Sequence, residues 1–267
     1  MDGITHIANA FQAAQRAGRA ALMPYLTLGH PDLNLSPALV CAAAASGADL
    51  LELGIPFSDP LADGPTIQHS TQVALRHGMT VAGCIEQVRG LRANGAAQPF
   101  LLMGYYNPLL AYGAGRFVDD AAQAGADGLI IPDLPPEEAA SLEAHCRQKG
   151  LALVYLAPPN ANPQRLALLA ERTSGFLYLV SVQGVTGVRA NLPPSLEDFV
   201  KRARTVAHTP LAVGFGIATP DQAAAVGKIA DGVIVGSAMI RAIESNPQDP
   251  VQALSAYVAS LAAALRA

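Results

Sequence analysis

Eight short, continuously apolar runs alternate with longer segments of helical spacing, and that alternation limits the possible folds more than any other feature of the chain. The runs are 21–28, 50–53, 100–105, 128–131, 153–156, 176–180, 211–214 and 233–235. Strands covered on both faces are apolar throughout, as parallel strands flanked by helices are. Between them, segments 37–46, 81–93, 117–124, 136–148, 163–172, 196–204 and 221–228 repeat their apolar residues at helical intervals. Several open on proline, whose missing N–H costs nothing in a first turn. Others open behind a capping residue, Thr80 or Thr219. Two more amphipathic helices, 4–17 and 251–265, lie at the ends. Eight strands, each followed by a helix, is the count of a closed (β/α)8 barrel. The expected fold is therefore α/β: a single TIM barrel with an extra N-terminal helix and a short extra helix after strand eight. A doubly wound open sheet is the alternative.

A weak internal repeat supports the barrel. Gly47-Ala48-Asp49, Gly125-Ala126-Asp127 and Ala230-Asp231-Gly232 each sit where a helix ends and a strand begins. Glycine closes a helix in the left-handed conformation, and aspartate suits the turn that follows. Asp49 and Asp127 are 78 residues apart and Asp127 and Asp231 are 104 apart, which fits two and four βα units. No Pro/Gly/Ser-rich linker divides the chain, so residues 1–267 are read as one domain.

Composition narrows the function. Half the residues (51%) are hydrophobic, only 14% are charged, and the net charge is −4, which favours one large core over disorder. Only three of the 17 basic residues are lysine and the arginines are scattered, which argues against a nucleic-acid surface. No stretch is long and apolar enough to span a bilayer, and residues 1–11 have no signal-peptide pattern, so a cytoplasmic location is expected. Cys41, Cys84 and Cys146 are widely spaced and suit neither a disulfide framework nor a metal site.

In such a barrel, catalytic groups belong where strands end and βα loops begin. Glu52 lies inside an apolar strand, and alternation places it on the face opposite Leu51 and Leu53. With those leucines against the helices, Glu52 points into the barrel, where desolvation raises a carboxyl pKa toward neutrality. Pairing with an arginine or with backbone donors is the plain alternative. Asp59-Pro60 and Asp63-Gly64 read as turns. Two glycine-rich segments, 213–219 and 235–238, follow strands seven and eight, the usual phosphate site of this fold. There, backbone amides and a helix N-terminus favour an anion. The long loop 181–194 after strand six has the make-up of a lid, or of an ordinary ordered loop.

Absences choose among chemistries. Lys149, Lys201 and Lys228 all fall in or beside helical segments, which argues against a Schiff-base enzyme. The six histidines have no metal-ligand spacing. What remains is carboxylate acid–base chemistry on a phosphorylated small molecule.

The seventeen residues from Glu52 to Gln68, ELGIPFSDPLADGPTIQ, closely resemble the signature of tryptophan synthase α subunits. The resemblance continues through Pro24–Gly29, Asn107-Pro108, Pro132-Asp133-Leu134-Pro135, Ala157-Pro158-Pro159-Asn160, Gly184-Val185-Thr186-Gly187, Gly214-Phe215-Gly216-Ile217 and Gly236-Ser237. It implies a (β/α)8 barrel that cleaves indole-3-glycerol phosphate to indole and glyceraldehyde 3-phosphate, a carbon–carbon lyase reaction of tryptophan biosynthesis. It places the two catalytic carboxylates on Glu52 and Asp63, so Asp63 becomes more than a turn residue. Tyr25 and Met103 map to the indole pocket, Tyr178 to a tyrosine beside Glu52, and Thr186 to a lid residue that positions Asp63. Gly187, Gly216, Gly236 and Ser237 map to the phosphate site. The resemblance further implies a β-subunit partner in an α2β2 complex, with contacts at Pro56, Phe57, Asp59, Pro60, Asn107, Pro108 and Pro135. Pro56 and Phe57 are expected to be exposed. No cofactor and no metal is expected in this chain, and pyridoxal phosphate is expected in the β subunit. Two residues depart from the family pattern: Val182 stands where a basic residue is common, and His30 where an aspartate is frequent. Two other readings stay in view. One is a different phosphate-binding barrel, such as a phosphosugar isomerase or a thiamine-phosphate-type synthase. The other is a non-catalytic activator of a β subunit.

Overall fold

The computed structural model describes residues 1–181, 195–214 and 216–266. In chain order the elements are α1 (Gly3–Arg16), β1 (Ala21–Thr27), α2 (Leu35–Ala45), β2 (Leu51–Gly54), α3 (Pro65–Arg76), α4 (Val81–Ala93) and β3 (Phe100–Met103). There follow α5 (Tyr106–Tyr112), α6 (Ala114–Ala124), β4 (Gly128–Ile130), α7 (Ala140–Lys149), β5 (Ala152–Val154), β6 (Leu156–Ala157) and α8 (Pro163–Arg172). The last elements are β7 (Leu177–Val180), α9 (Leu196–Arg204), β8 (Leu211–Gly214), α10 (Pro220–Gly227), β9 (Gly232–Val235), α11 (Ser237–Glu244) and α12 (Pro250–Ala264).

All the strand pairings are parallel, in the order β5-β4-β3-β2-β1-β9-β8-β7-β6. Since β5 and β6 are consecutive in the chain, the two ends of that order meet and the sheet curls into a barrel. They are one strand position interrupted at Tyr155. There the Tyr155 N–H donates to Thr173 Oγ1 (3.1 Å) instead of to a neighbouring strand, and the Leu153 N–H donates to Ser174 Oγ (2.8 Å). Side-chain hydroxyls thus replace ladder bonds at the seam, which is why one expected strand, 153–156, appears as two short ones.

Alternation along the strands sorts the apolar residues into two layers. Leu22, Leu26, Leu51, Leu53, Phe100, Leu102, Leu129, Leu177, Leu179, Val213 and Val233 pack outward against the helices. Ala21, Met23, Tyr25, Leu101, Met103, Ile130, Val154, Tyr178, Ala212 and Ile234 fill the interior. Ile7, Phe11 and Ala14 of α1 join this inner group, with Phe11 against Phe176 at 5.6 Å between ring centroids. Helix α1 therefore closes the N-terminal end of the barrel, leaving the C-terminal end for a ligand. The short extra helix after the last strand is α11.

Three helix positions differ from the sequence expectation. Helix α3 begins inside the signature segment, with Pro65 in its first turn behind Gly64. Helix α5 precedes α6, with Gly113 at φ +98° between them. The segment at 136–148 opens as a 3₁₀ turn at Pro136–Glu138 before α7. Of the described residues, no helix is long and apolar enough to cross a membrane.

Candidate active site

The site is built at the C-terminal ends of β1, β2 and β3 and in the loops that leave them. Register sets Tyr25 beside Glu52 and Glu52 beside Leu101. Tyr25 and Leu101 face the interior while Leu51 and Leu53 face the helices, so Glu52 points inward, as alternation requires. It is 1% exposed, and its Oε2 has no hydrogen-bond partner among the described residues. The pairing with an arginine or a backbone donor weighed from sequence is not found at that oxygen. Burial, and then the charge of Asp63, push the Glu52 carboxyl up to about 8.

Asp63 lies at the end of the β2 loop, just before α3. Its main chain is held from both sides: Asp63 N–H donates to Pro60 O (3.0 Å), and Gln68 Nε2 donates to Asp63 O (2.9 Å). Burial raises the Asp63 carboxyl to about 6, opposed by a hydrogen bond from Tyr105. Two carboxylates in one mouth thus titrate apart, Asp63 below neutrality and Glu52 above it, which is how acid and base roles are divided.

Tyr25, Ile55, Asp63, Thr71, Met103 and Tyr105 line a narrow cleft. Tyr25 and Met103 were expected there. Tyr105 was missed by sequence reasoning, although it ends the third apolar run. Its hydroxyl accepts the Ala62 N–H (2.9 Å), and its ring packs on Phe57 at 5.5 Å between centroids. The signal that could have found it is an aromatic at the end of a strand. Tyr178 is 3% exposed, and the charges of Glu52 and Asp63 add to burial in raising its pKa well above that of a free phenol. Both buried tyrosines need a glycine beneath them. A Cβ on Gly54 would sit 2.1 Å from Tyr25 Oη, and one on Gly214 would sit 2.2 Å from Tyr178 Oη.

Across the mouth, Gly236 caps α11 without a side-chain bond, and Ser237 is its first residue, so the first amides of the helix have no side-chain cap. Gly236 lies next to Tyr25, with 3.6 Å between a built Cβ and Tyr25 Cβ. Gly216, at φ +79°, turns the β8 loop nearby in sequence. Thr186, Gly187 and Val182 lie outside the described residues. His30 is buried, with Nε2 3.2 Å from Glu244 Oε1, and burial lowers its pKa to about 4, so it is neutral at physiological pH.

On the outer rim, Asp59 and Asn107 are exposed, Phe57, Pro108 and Pro135 are half-buried, and Pro56 and Pro60 are buried. The exposure expected for Pro56 and Phe57 is thus corrected, because the β2 loop folds back and Phe57 stacks on Tyr105. Beside these residues Leu61 (89% exposed) and Leu110 (51%) face outward, and neither carried a signal in the sequence. Asp133 Oδ1 accepts the Tyr106 N–H (2.9 Å), tying the β4 loop to the start of α5. The described residues contain no cluster suited to a metal ion.

Comparison with known proteins bears on the same geometry. Residues 11–266 match the family model described as tryptophan synthase alpha chain. The chain belongs to the tryptophan synthase alpha chain family. The alpha chain of Chloroflexus aurantiacus is 49% identical over 263 residues, covering 98% of this chain and 99% of that one. The Geobacter sp. (strain M21) alpha chain is 44% identical, covering 97% of each. Among solved structures, a Mycobacterium tuberculosis tryptophan synthase chain superposes with a TM-score of 0.91 at 38% identity, covering 98% of both chains. The subunit alpha of Legionella pneumophila gives 0.91 at 38%, covering 99% of this chain and 98% of that one. An alpha-chain barrel of this family is what the strand order and the plugging N-terminal helix make.

Proposed function

We propose that the chain cleaves indole-3-glycerol phosphate to indole and glyceraldehyde 3-phosphate, with Glu52 as acid and base and Asp63 as the partner of the indole N–H. The observation that carries the reading is the split pair: a buried Glu52, its Oε2 without a partner among the described residues, that keeps its proton at neutral pH, and an ionised Asp63 in the same mouth. Protonated Glu52 donates to indole C3, while Asp63 accepts a hydrogen bond from the ring N–H and stabilises the positive charge that develops there. The ring is then the electron sink. The carbon–carbon bond breaks as the carboxylate of Glu52 takes the proton of the adjacent glycerol hydroxyl. One proton has moved from oxygen to carbon, and the two products leave neutral at the broken bond. Tyr25 and Met103 hold the ring, Tyr178 lies beside Glu52, and the phosphate sits at Gly216, Gly236 and Ser237 on backbone amides and the α11 dipole. Gly187 and Thr186 complete the site in this reading, the first at the phosphate and the second positioning Asp63.

This chemistry asks for no cofactor in the chain; pyridoxal phosphate belongs to a β subunit that receives the indole in an α2β2 assembly. The surface that fits this partner is the rim of Phe57, Asp59, Asn107, Pro108 and Pro135, with Leu61 and Leu110 as its apolar contacts. Pro56 and Pro60, buried beneath it, shape the loop. The location this reading implies is the cytoplasm, and the whole chain acts as one domain.

The test is turnover of indole-3-glycerol phosphate by the chain with and without a tryptophan synthase β subunit. Asp63→Asn should lower cleavage by at least about 100-fold while leaving the circular dichroism spectrum unchanged. Substantial cleavage by that variant would overturn the assignment. Failure of the parent chain itself to cleave, in both arms, would favour the non-catalytic activator.

A further inference from the structure

Beneath the catalytic loop lies a chain of buried hydroxyl groups that the reaction does not call for. Thr27, at the end of β1, and Ser70, on α3, are 2% and 0% exposed. Their hydroxyl oxygens are 2.7 Å apart, and either can donate. Thr27 Oγ1 also donates to Tyr25 Oη at 3.3 Å, and Ser70 Oγ lies 2.9 Å from Ile67 O. The Tyr25, Thr27 and Ser70 hydroxyls thus form one continuous chain that ends on the Ile67 carbonyl.

The chain joins the two elements that carry the catalytic carboxylates. Asp63 is bound through its carbonyl to Gln68 of α3, and Ser70 is on the same helix two residues on. Thr27 is on β1, where Tyr25 stands in register with Glu52 of β2. The Tyr25 phenol, seated over Gly54, meets the field of both Asp63 and Glu52. No charged group takes part in the Thr27–Ser70 contact, so its only evident effect is to fix α3 against β1 at one distance. A separation between two catalytic groups set by rigid elements is what efficient acid–base chemistry needs, since an ångström of misplacement costs up to about 100-fold.

We propose that Thr27 and Ser70 are positioning residues, a hydroxyl clamp that holds the Asp63 loop in register with Glu52 through α3 and Tyr25. The proposal rests on the catalytic roles given above for Glu52 and Asp63. The clamp acts through position, so breaking it should change how strongly the two carboxylates feel each other.

Thr27→Val keeps the shape and removes the hydroxyl; Thr27→Ser keeps the hydroxyl; Ser70→Ala removes the other half. Carboxyl carbon NMR titration of the whole protein should place Glu52 near 8 in the parent and in Thr27→Ser. In Thr27→Val and Ser70→Ala the midpoint should fall by about 0.5 pH unit or more as the charge of Asp63 moves away. In the cleavage assay, kcat should fall about tenfold or more in those two variants with KM within about twofold, and Thr27→Ser should recover most of it. A Glu52 midpoint and a kcat unchanged in Thr27→Val and Ser70→Ala, with only Tm lowered, would make the pair a structural contact and overturn the clamp. Should Thr27→Val not fold, Ser70→Ala decides on the same two readouts. Should the parent not cleave the substrate, the reading of the reaction falls, and the titration alone still decides the clamp.

Discussion

Glu52 is an expensive residue where it stands. An unpaired carboxyl inside a barrel keeps its proton because the charged form would lose its hydration without gaining a partner. Its pKa is raised from about 4.5 to about 8 in the folded chain, so folding favours the protonated form. The stability this gives is complete below about 4.5 and is lost as pH rises through about 8. Glu52→Gln should therefore lose cleavage by about 100-fold or more. The same variant should have a higher Tm than the parent at pH 9 and little difference at pH 4.5, read by thermal scans at both. Activity has the opposite sign on each side of neutrality. With Asp63 ionising near 6 and Glu52 near 8, kcat/KM should peak between those values and fall on both sides. A flat profile from pH 5 to 9 would contradict the split roles. The chain has no tryptophan, so indole fluorescence reports ligand binding and release without tryptophan background from the protein.

At the scale of elements, the internal repeat seen in the sequence has a mechanical role. Asp49 Oδ2 accepts the Leu22 N–H (2.8 Å), Asp127 Oδ2 the Phe100 N–H (2.7 Å) and Asp231 Oδ2 the Leu211 N–H (2.7 Å). Each aspartate precedes one strand and caps the start of its neighbour. Each is also bound by an arginine: Arg19 at 2.6 Å, Arg92 at 2.6 Å and Arg204 at 2.5 Å. Asp127 is the most buried of the three, and it also meets His6 Nδ1 of α1 at 2.8 Å. Asp127→Ala should cost about 2–4 kcal/mol by leaving the Phe100 amide without its acceptor and the Arg92 guanidinium with only its backbone carbonyl partners. Chemical denaturation measures it, and a loss under about 1 kcal/mol would contradict the role. Turn chemistry alone explained the aspartates in the sequence; their capping of a strand 27 or 20 residues earlier in the chain is a tertiary fact.

For the whole molecule, one end is closed by α1 and the other is open, and the open rim carries the exposed Leu61 and Leu110. Leu61 is almost fully exposed and Leu110 about half exposed, so replacing either removes little packing. Leu110→Asp should keep the parent Tm within a few degrees while weakening the rate gain produced by a β subunit by about tenfold or more. A titration of activity against β subunit reads both the midpoint and the plateau, and an unchanged midpoint would remove Leu110 from the interface.

The chain's own pattern specified the eight strand–helix units, because strands buried on both faces must be apolar throughout and helices must repeat at 3.6, while closure over an open sheet came with the β5–β6 seam. It also determined that Glu52 points inward, since alternation is a property of the backbone. The cleft residues followed less evenly. Asp63 reads locally as a turn residue and gained its role only by resemblance to a family. Thr27 and Ser70 gave no local signal, because what distinguishes them is which residues stand across from them. The extent of each carboxyl's pKa shift, the burial of Pro56, the outward turn of Leu61 and the interruption of the fifth strand at Tyr155 came only with the folded barrel. Each of these depends on dielectric, packing or a hydrogen-bond partner supplied by residues distant in the chain, and such partners exist only once the barrel has closed.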